Sequence, residues 1–134
     1  MNKNNVKTKM AKLKTTTKNI KENIKYRSYI FALDIVKFVS DLPKTKIADI
    51  LGAQLLRCGT SVGANIIEAQ SGTSRKDFIN FYSHALKSAN ESKFWLCLFR
   101  NSKIGNLEKC NQLLDESIQI SNMLGKSILT LKGK

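Results

Sequence analysis

The chain has 134 residues, 42% of them hydrophobic, and a formal net charge of +13; a domain of this size buries roughly two-thirds of the surface its unfolded chain exposes, so one core suffices. No run of about 18 uncharged apolar residues occurs, because the most apolar segment, residues 29–39, is interrupted by Asp34 and Lys37, and this excludes a membrane-spanning helix. The basic N-terminus leads into threonine, asparagine and more lysine rather than the apolar stretch of a secretory signal, so the expected compartment is the cytoplasm.

Residues 1–21 form a compositional region of their own, with seven lysines (Lys3, Lys7, Lys9, Lys12, Lys14, Lys18 and Lys21) and no acid. Such a segment has too little apolar surface to fold and is expected to be a disordered basic tail. Residues 22–134 are expected to form the folded domain. A first helix is predicted from about Asn23 to Asp41, stopped by Pro43, whose ring disfavours helical geometry at Leu42. It is apolar nearly all round, with Tyr26, Ile30, Leu33 and Val36 or Lys37 in one direction and Phe31, Ile35, Phe38, Val39 and Leu42 in others. A helix of that breadth is buried on more than one side, which points to a second subunit or a larger assembly.

Thr45 is the predicted N-cap of a second helix ending near Gln70 to Gly72, with Gly72 as its C-terminal cap. Leu51, Leu55, Cys58, Val62, Ile66 and Ala69 recur at steps of three and four and make its core stripe. A polar line through Gln54, Arg57, Ser61, Asn65 and Glu68 runs along the same helix. Gly59 and Gly63 sit mid-helix at a cost of about 1 kcal/mol each relative to alanine, which close approach of a neighbouring backbone would offset. Ser74 and Asp77 form a capping box at the start of a third helix, which continues through Phe78, Tyr82, Ala85, Ala89, Ser92 and Trp95 or Leu96 to about Asn101. Asn106 caps a fourth, along which Leu107, Cys110, Leu114, Ser117, Ser121, Leu124, Ile128 and Leu131 make a heptad-like seam. No strand pattern competes. The predicted fold is all-α, an up-down-up-down antiparallel four-helix bundle with a basic N-terminal tail.

Catalytic and metal chemistry find no support. Cys58, Cys97 and Cys110 fall on three different predicted helices without a CxxC pair and read as small core hydrophobes. His84 has no second histidine with which to build a zinc site and reads as a helix-surface or interface residue. A Cys/His nucleophilic pair would need a base in reach and an oxyanion site, and no motif supplies either. The Gly59 to Gly63 run lies inside a helical pattern and lacks the ending of a phosphate loop. No cofactor, no metal and no enzymatic activity are expected.

The run RCGTSVGANIIEAQ, followed by SRKDF and ALKSANESKFWL, resembles the signature of the bacterial four-helix bundle family that includes the 23S rRNA-intervening sequence proteins, and more distantly the accessory variability determinant proteins of diversity-generating retroelements. The resemblance is strongest over residues 54–98, looser from 24 to 131, and does not reach the first 20 or so residues. It implies a four-helix protomer, a ring-shaped homopentamer, no catalytic chemistry, and association with nucleic acid or ribonucleoprotein.

In the predicted topology the start of the first helix, the turn between the second and third, and the end of the fourth share one end of the bundle. The candidate nucleic-acid-binding residues are therefore Lys7, Lys9, Lys12, Lys14, Lys18, Lys21, Arg75, Lys76, Lys132 and Lys134, facing few carboxylates, chiefly Glu22, Glu68 and Asp77. Phosphate backbone is the natural partner of such a rim. Few arginines and a tail without aromatic residues imply backbone-directed, weakly sequence-specific contact with RNA or DNA. Composition offers a second explanation: lysine outnumbers arginine 19 to 4 and asparagine reaches 12, a pattern that an AT-rich genome imposes without selection for binding. A membrane-surface role is disfavoured, because the tail lacks the apolar face of an interfacial helix. The polar stripe of Arg57, Asn65 and Glu68 reads as structural, with Arg57 and Glu68 satisfying each other or a neighbouring subunit and Asn65 bonding to backbone. On that reading Glu68→Ala damages folding or assembly more than nucleic-acid affinity. Trp95 reads as a core or interface anchor. Two functions follow: an oligomeric nucleic-acid-binding protein, or an oligomeric adaptor that recruits a protein partner such as a nucleic-acid enzyme.

Overall fold

The computed structural model describes residues 20–72 and 74–133, with side chains from residue 24. The described residues form four helices: α1 (Ile20–Ser40), α2 (Lys46–Gln70), α3 (Arg75–Ser102) and α4 (Leu107–Lys132). Each packs on its neighbour in sequence, and α1 closes the square against α4. Ile35 lies on Gly59 and Ser28 on Gly63, so α1 and α2 run antiparallel. The Cys110 thiol donates to the Leu96 carbonyl and the Ser121 hydroxyl to the Asn90 carboxamide, which sets α4 antiparallel to α3. Across the core the Phe38 and Phe99 rings meet edge to face at 5.4 Å, placing the ends of α1 and α3 together. The up-down-up-down bundle is the observed fold.

The three helix starts follow from short-range chemistry. Thr45 Oγ1 accepts from the Ala48 N–H at 3.1 Å, Ser74 Oγ from Asp77 N–H at 3.1 Å, and Asn106 Oδ1 from Lys109 N–H at 2.9 Å. Each satisfies one of the donors that a helix start leaves unpaired. The helix ends fall close to expectation, at Ser40, Gln70 and Ser102 for α1, α2 and α3, and the start of α1 differs most. α1 begins at Ile20, three residues before Asn23. The C-cap of α2 is Ser71, in right-handed helical geometry, and Gly72 is the residue after it. The C-cap of α3 is Lys103 in the left-handed conformation, φ 58°, with Gly105 at φ 89° further along the turn. A Cβ on Gly105 would lie 2.9 Å from both Phe38 and Leu42, so only glycine both adopts that backbone and lets the α3–α4 turn close over the core.

The core follows the predicted stripes with particular exceptions. Leu55, Cys58, Val62, Ile66, Ala69, Tyr82, Ala85, Ala89, Leu96 and Cys110 are buried, and so are Leu124 and Ile128 on the seam of α4. Leu51 and Cys97 are only half-buried, and Leu107, placed on the seam by its spacing, is exposed at the start of α4. Buried serines are accommodated by bonding back along their own helices, Ser28 to Lys25 O (3.0 Å), Ser92 to Ser88 O (2.8 Å) and Ser117 to Leu114 O (2.7 Å). A Cβ on Gly63 would stand 3.4 Å from the Ser28 carbonyl oxygen, an ordinary van der Waals contact, so the approach of α1 there is not close enough to require glycine. Gly59 instead receives the Ile35 side chain, 2.9 Å from where a Cβ would stand.

α1 buries Ile24, Ser28, Phe31, Ile35 and Phe38 in the core, and Leu42 just beyond its end is buried with them. Its second apolar face is not covered within the protomer: Tyr26, Ile30 and Leu33 are half-buried, and Tyr29 and Val36 are exposed.

Candidate functional site

Topology brings three of the predicted cationic groups to one end. Arg75 and Lys76 open α3, Lys132 closes α4, and all three are exposed at the end where α1 begins. Arg75 follows the N-cap Ser74, so its charge stands beside backbone N–H groups at the positive end of the α3 dipole, and Asp77 in the same turn is the nearest carboxylate in sequence. Lys7, Lys9, Lys12, Lys14, Lys18 and Lys134, with the side chain of Lys21, lie outside the described residues. The tail joins the bundle at this same end, because α1 starts there.

Two grooves flank α1. The larger, about 640 Å³, separates it from α4 and is walled by Tyr26, Ile30, Phe31 and Leu113, with Lys37 and Lys109 at its rim. Arg27 spans it, donating from Nε to Glu116 Oε2 (2.9 Å) and from Nη2 to Glu116 Oε1 (2.8 Å) and Gln119 Oε1 (2.8 Å). That two-pronged pairing outweighs desolvation and pushes the Arg27 pKa up. The smaller groove, about 260 Å³, lies between α1 and α2 over Gly63 and is lined mainly by apolar atoms of Tyr29, Ala32, Ala64 and Ile67.

The polar stripe of α2 is resolved differently from expectation. Arg57 pairs with Glu91 of α3 and with Gln54 (3.1 Å), not with Glu68. The Trp95 indole N–H donates to the same Glu91 oxygen at 2.9 Å. Trp95's hydrogen bond and Arg57's pairing hold the Glu91 carboxyl below its ordinary range. Glu68 is exposed in the last turn of α2, so within the protomer the carboxylate partner of Arg57 is Glu91. Asn65 does bond to backbone, donating to Ser61 O at 2.9 Å. Trp95 is half-buried and meets the exposed Phe94 edge to face at 5.0 Å. Glu91 and Phe94 were missed by sequence reasoning. The i, i+4 spacing of Glu91 and Trp95 was visible, but Arg57 as partner required the register between two helices.

Two of the three thiols, Cys58 and Cys110, are buried in the core, and Cys97 is half-buried. Cys58 receives the Ser92 hydroxyl at 3.3 Å, Cys110 donates to Leu96 O at 3.2 Å, and burial pushes both thiols up. His84 is exposed on α3. No described helix is long and apolar enough to cross a membrane.

The sequence model of the 23S rRNA-intervening sequence protein family matches residues 8–126. The chain belongs to this family. The match reaches back into the lysine-rich segment that the resemblance had left out, and stops short of the last turns of α4. A crystal structure, at 1.70 Å resolution, of a protein of unknown function from the S23 ribosomal protein family of Bacteroides thetaiotaomicron is similar, with 37% identity and a TM-score of 0.75 over 82% of this chain and 98% of that one. Comparison with curated proteins finds no match.

Proposed function

We propose that this protein is a non-enzymatic, cytoplasmic nucleic-acid-binding bundle that assembles as a homopentamer and neutralises phosphates of RNA or DNA at the end carrying Arg75, Lys76 and Lys132. The observation that carries the reading is that these exposed cations gather at the end to which a 21-residue segment with seven lysines and no acid is joined. Copies in a ring with these ends aligned multiply the field, and phosphate contacts release counterions. The family's name points to ribosomal RNA and its intervening sequences as the nucleic acid. Assembly is supported by the uncovered face of α1, where Tyr29 is 38% and Val36 43% exposed.

The test is binding of labelled RNA and DNA, duplex and single-stranded, across a salt series. The full chain is compared with variants carrying Arg75→Gln, Lys76→Gln and Lys132→Gln, or glutamine at the tail lysines. Steep salt dependence that flattens by about 0.9 per lost duplex phosphate contact supports the reading. Weak, salt-insensitive binding by every form overturns it and favours the adaptor, for which the exposed Ile47 and Ile50 on α2 offer a contact surface. Light scattering reads the assembly, and a stable monomer removes the oligomer.

A further inference from the structure

Phe94 is 60% exposed in the middle of a 28-residue helix, although a phenylalanine at that position gains nothing from the core. Its ring is held rather than loose. Trp95 meets it edge to face at 5.0 Å, and Trp95 is anchored in turn by its hydrogen bond to Glu91, which Arg57 ties to α2. The one acid beside the ring is therefore already matched by a cation. Along the same outward stripe of α3, at spacings of three, four and seven, stand Lys76, Asn80, Lys87, Asn90 and Asn101, all exposed. The carboxylate bordering that stripe, Glu91, is paired with Arg57, and the stripe reaches the cationic end of the bundle at Lys76 and spans about 37 Å.

From this we infer that the outer face of α3 is a base-stacking site for single-stranded RNA, with Phe94 as its platform, Lys76 and Lys87 on the phosphates, and the Asn80 carboxamide with the Nδ2 groups of Asn90 and Asn101, whose Oδ1 atoms accept from Ser121 and Arg100, on base edges and 2′-hydroxyls. The chemistry fits an unpaired strand because a duplex hides its base faces, whereas an exposed ring beside cations accepts any unstacked base. The inference rests on the nucleic-acid reading and adds to it. The rim of the bundle contacts backbone alone, while this face discriminates single from paired strands.

Full-length protein is titrated with oligo(U) RNA, oligo(dT) DNA and an RNA duplex, as wild type and as Phe94→Ala, Phe94→Leu and Phe94→Tyr. The exposed position leaves folding intact, which thermal unfolding checks. Stacking predicts about a 5- to 100-fold loss of oligo(U) affinity in the alanine and leucine variants, retention in the tyrosine variant, and duplex affinity unchanged. Fluorescence of Trp95, the sole tryptophan, changes on oligo(U) addition in the wild type and not in Phe94→Ala. Equal oligo(U) affinity in all variants, or equal losses for single strand and duplex, overturns the stacking site and leaves phosphate binding standing. Stronger dependence on Phe94 for oligo(dT) than for oligo(U) overturns the choice of RNA. Altered subunit number in Phe94→Ala makes the ring a subunit contact and overturns the inference. Absence of binding to all three probes by the wild type removes it together with the proposed function.

Discussion

The α2–α3 pair and the α1–α4 pair each carry an arginine–glutamate bridge, yet one interface is stitched shut and the other stands open. Between α2 and α3 the buried residues are small, Cys58 against Ser92 with Ala85 and Ala89 nearby, so the backbones approach and the Arg57–Glu91–Trp95 network lies over a closed seam. Between α1 and α4, Tyr26, Ile30, Phe31 and Leu113 hold the helices apart around a groove of about 640 Å³ that Arg27 and Glu116 bridge. Side-chain volume at the contact sets helix separation. The open side is also where α1 keeps its second apolar face, so α1 is fastened to its own protomer chiefly through α2.

That asymmetry is broken most forcefully at Ile35. This fully buried side chain seats on Gly59, and Ile35→Ala is expected to cost about 2–5 kcal/mol through a void that α1 and α2 cannot close. Leu113→Ala, in the wall of the open groove, is expected to cost only about 2 kcal/mol, because water enters rather than a cavity forming. Equal losses in denaturant unfolding would show that α4 holds α1 as firmly as α2 does.

Tyr82 sharpens the contrast within the stitched half. Its hydroxyl is buried with no hydrogen-bond partner among the described residues, and burial pushes its pKa up to about 12. The folded value lies above the unfolded one, so the associated stability is complete below pH ~10 and declines as pH rises toward about 12. Alkaline unfolding should therefore show a loss on the order of 2 kcal/mol that Tyr82→Phe abolishes, while Tyr82→Phe is neutral or stabilising by about 1 kcal/mol at pH 7. A destabilised Tyr82→Phe protein would mean that the hydroxyl has a partner.

Much of the architecture was legible because it depends on spacing along one chain. The caps at Thr45, Ser74 and Asn106 and the core stripes of α2 and α3 are local patterns of residue type. What escaped depends on distance between chain segments. Gln54, Arg57 and Glu68 read alike as a polar line, and only the register of α2 on α3 decides that Arg57 meets Glu91 while Glu68 faces solvent. Lys103 was unreadable as a left-handed cap because the residue favoured there is glycine, and Gly105, two positions on, takes the tighter contact with Phe38 and Leu42. The cationic end was legible as topology once the helix order was known. Phe94 was not, because a phenylalanine in an amphipathic helix reads as core until its position around the axis is fixed.

The two bridges differ in what they contribute. Arg27 and Glu116 are 24% and 30% exposed and meet through two parallel hydrogen bonds, so a double-mutant cycle should give about 1 kcal/mol of coupling. Arg57 and Glu91, 56% and 37% exposed, should give about 0.5 kcal/mol or less, falling with salt. The smaller bridge carries the clearer acid signature. Glu91's pKa is lowered in the fold, first by the Trp95 hydrogen bond and further by Arg57, so its contribution is present above the ordinary glutamate pKa of about 4.3 and is lost as pH falls through the lowered value. Trp95 reports this directly, since protonating Glu91 weakens the bond to its indole. Acid titration of Trp95 fluorescence should show a transition below the ordinary glutamate range that shifts upward in Arg57→Gln and disappears in Glu91→Gln. A transition that survives Glu91→Gln would assign it to unfolding of the bundle and leave the two interfaces distinguished by packing alone.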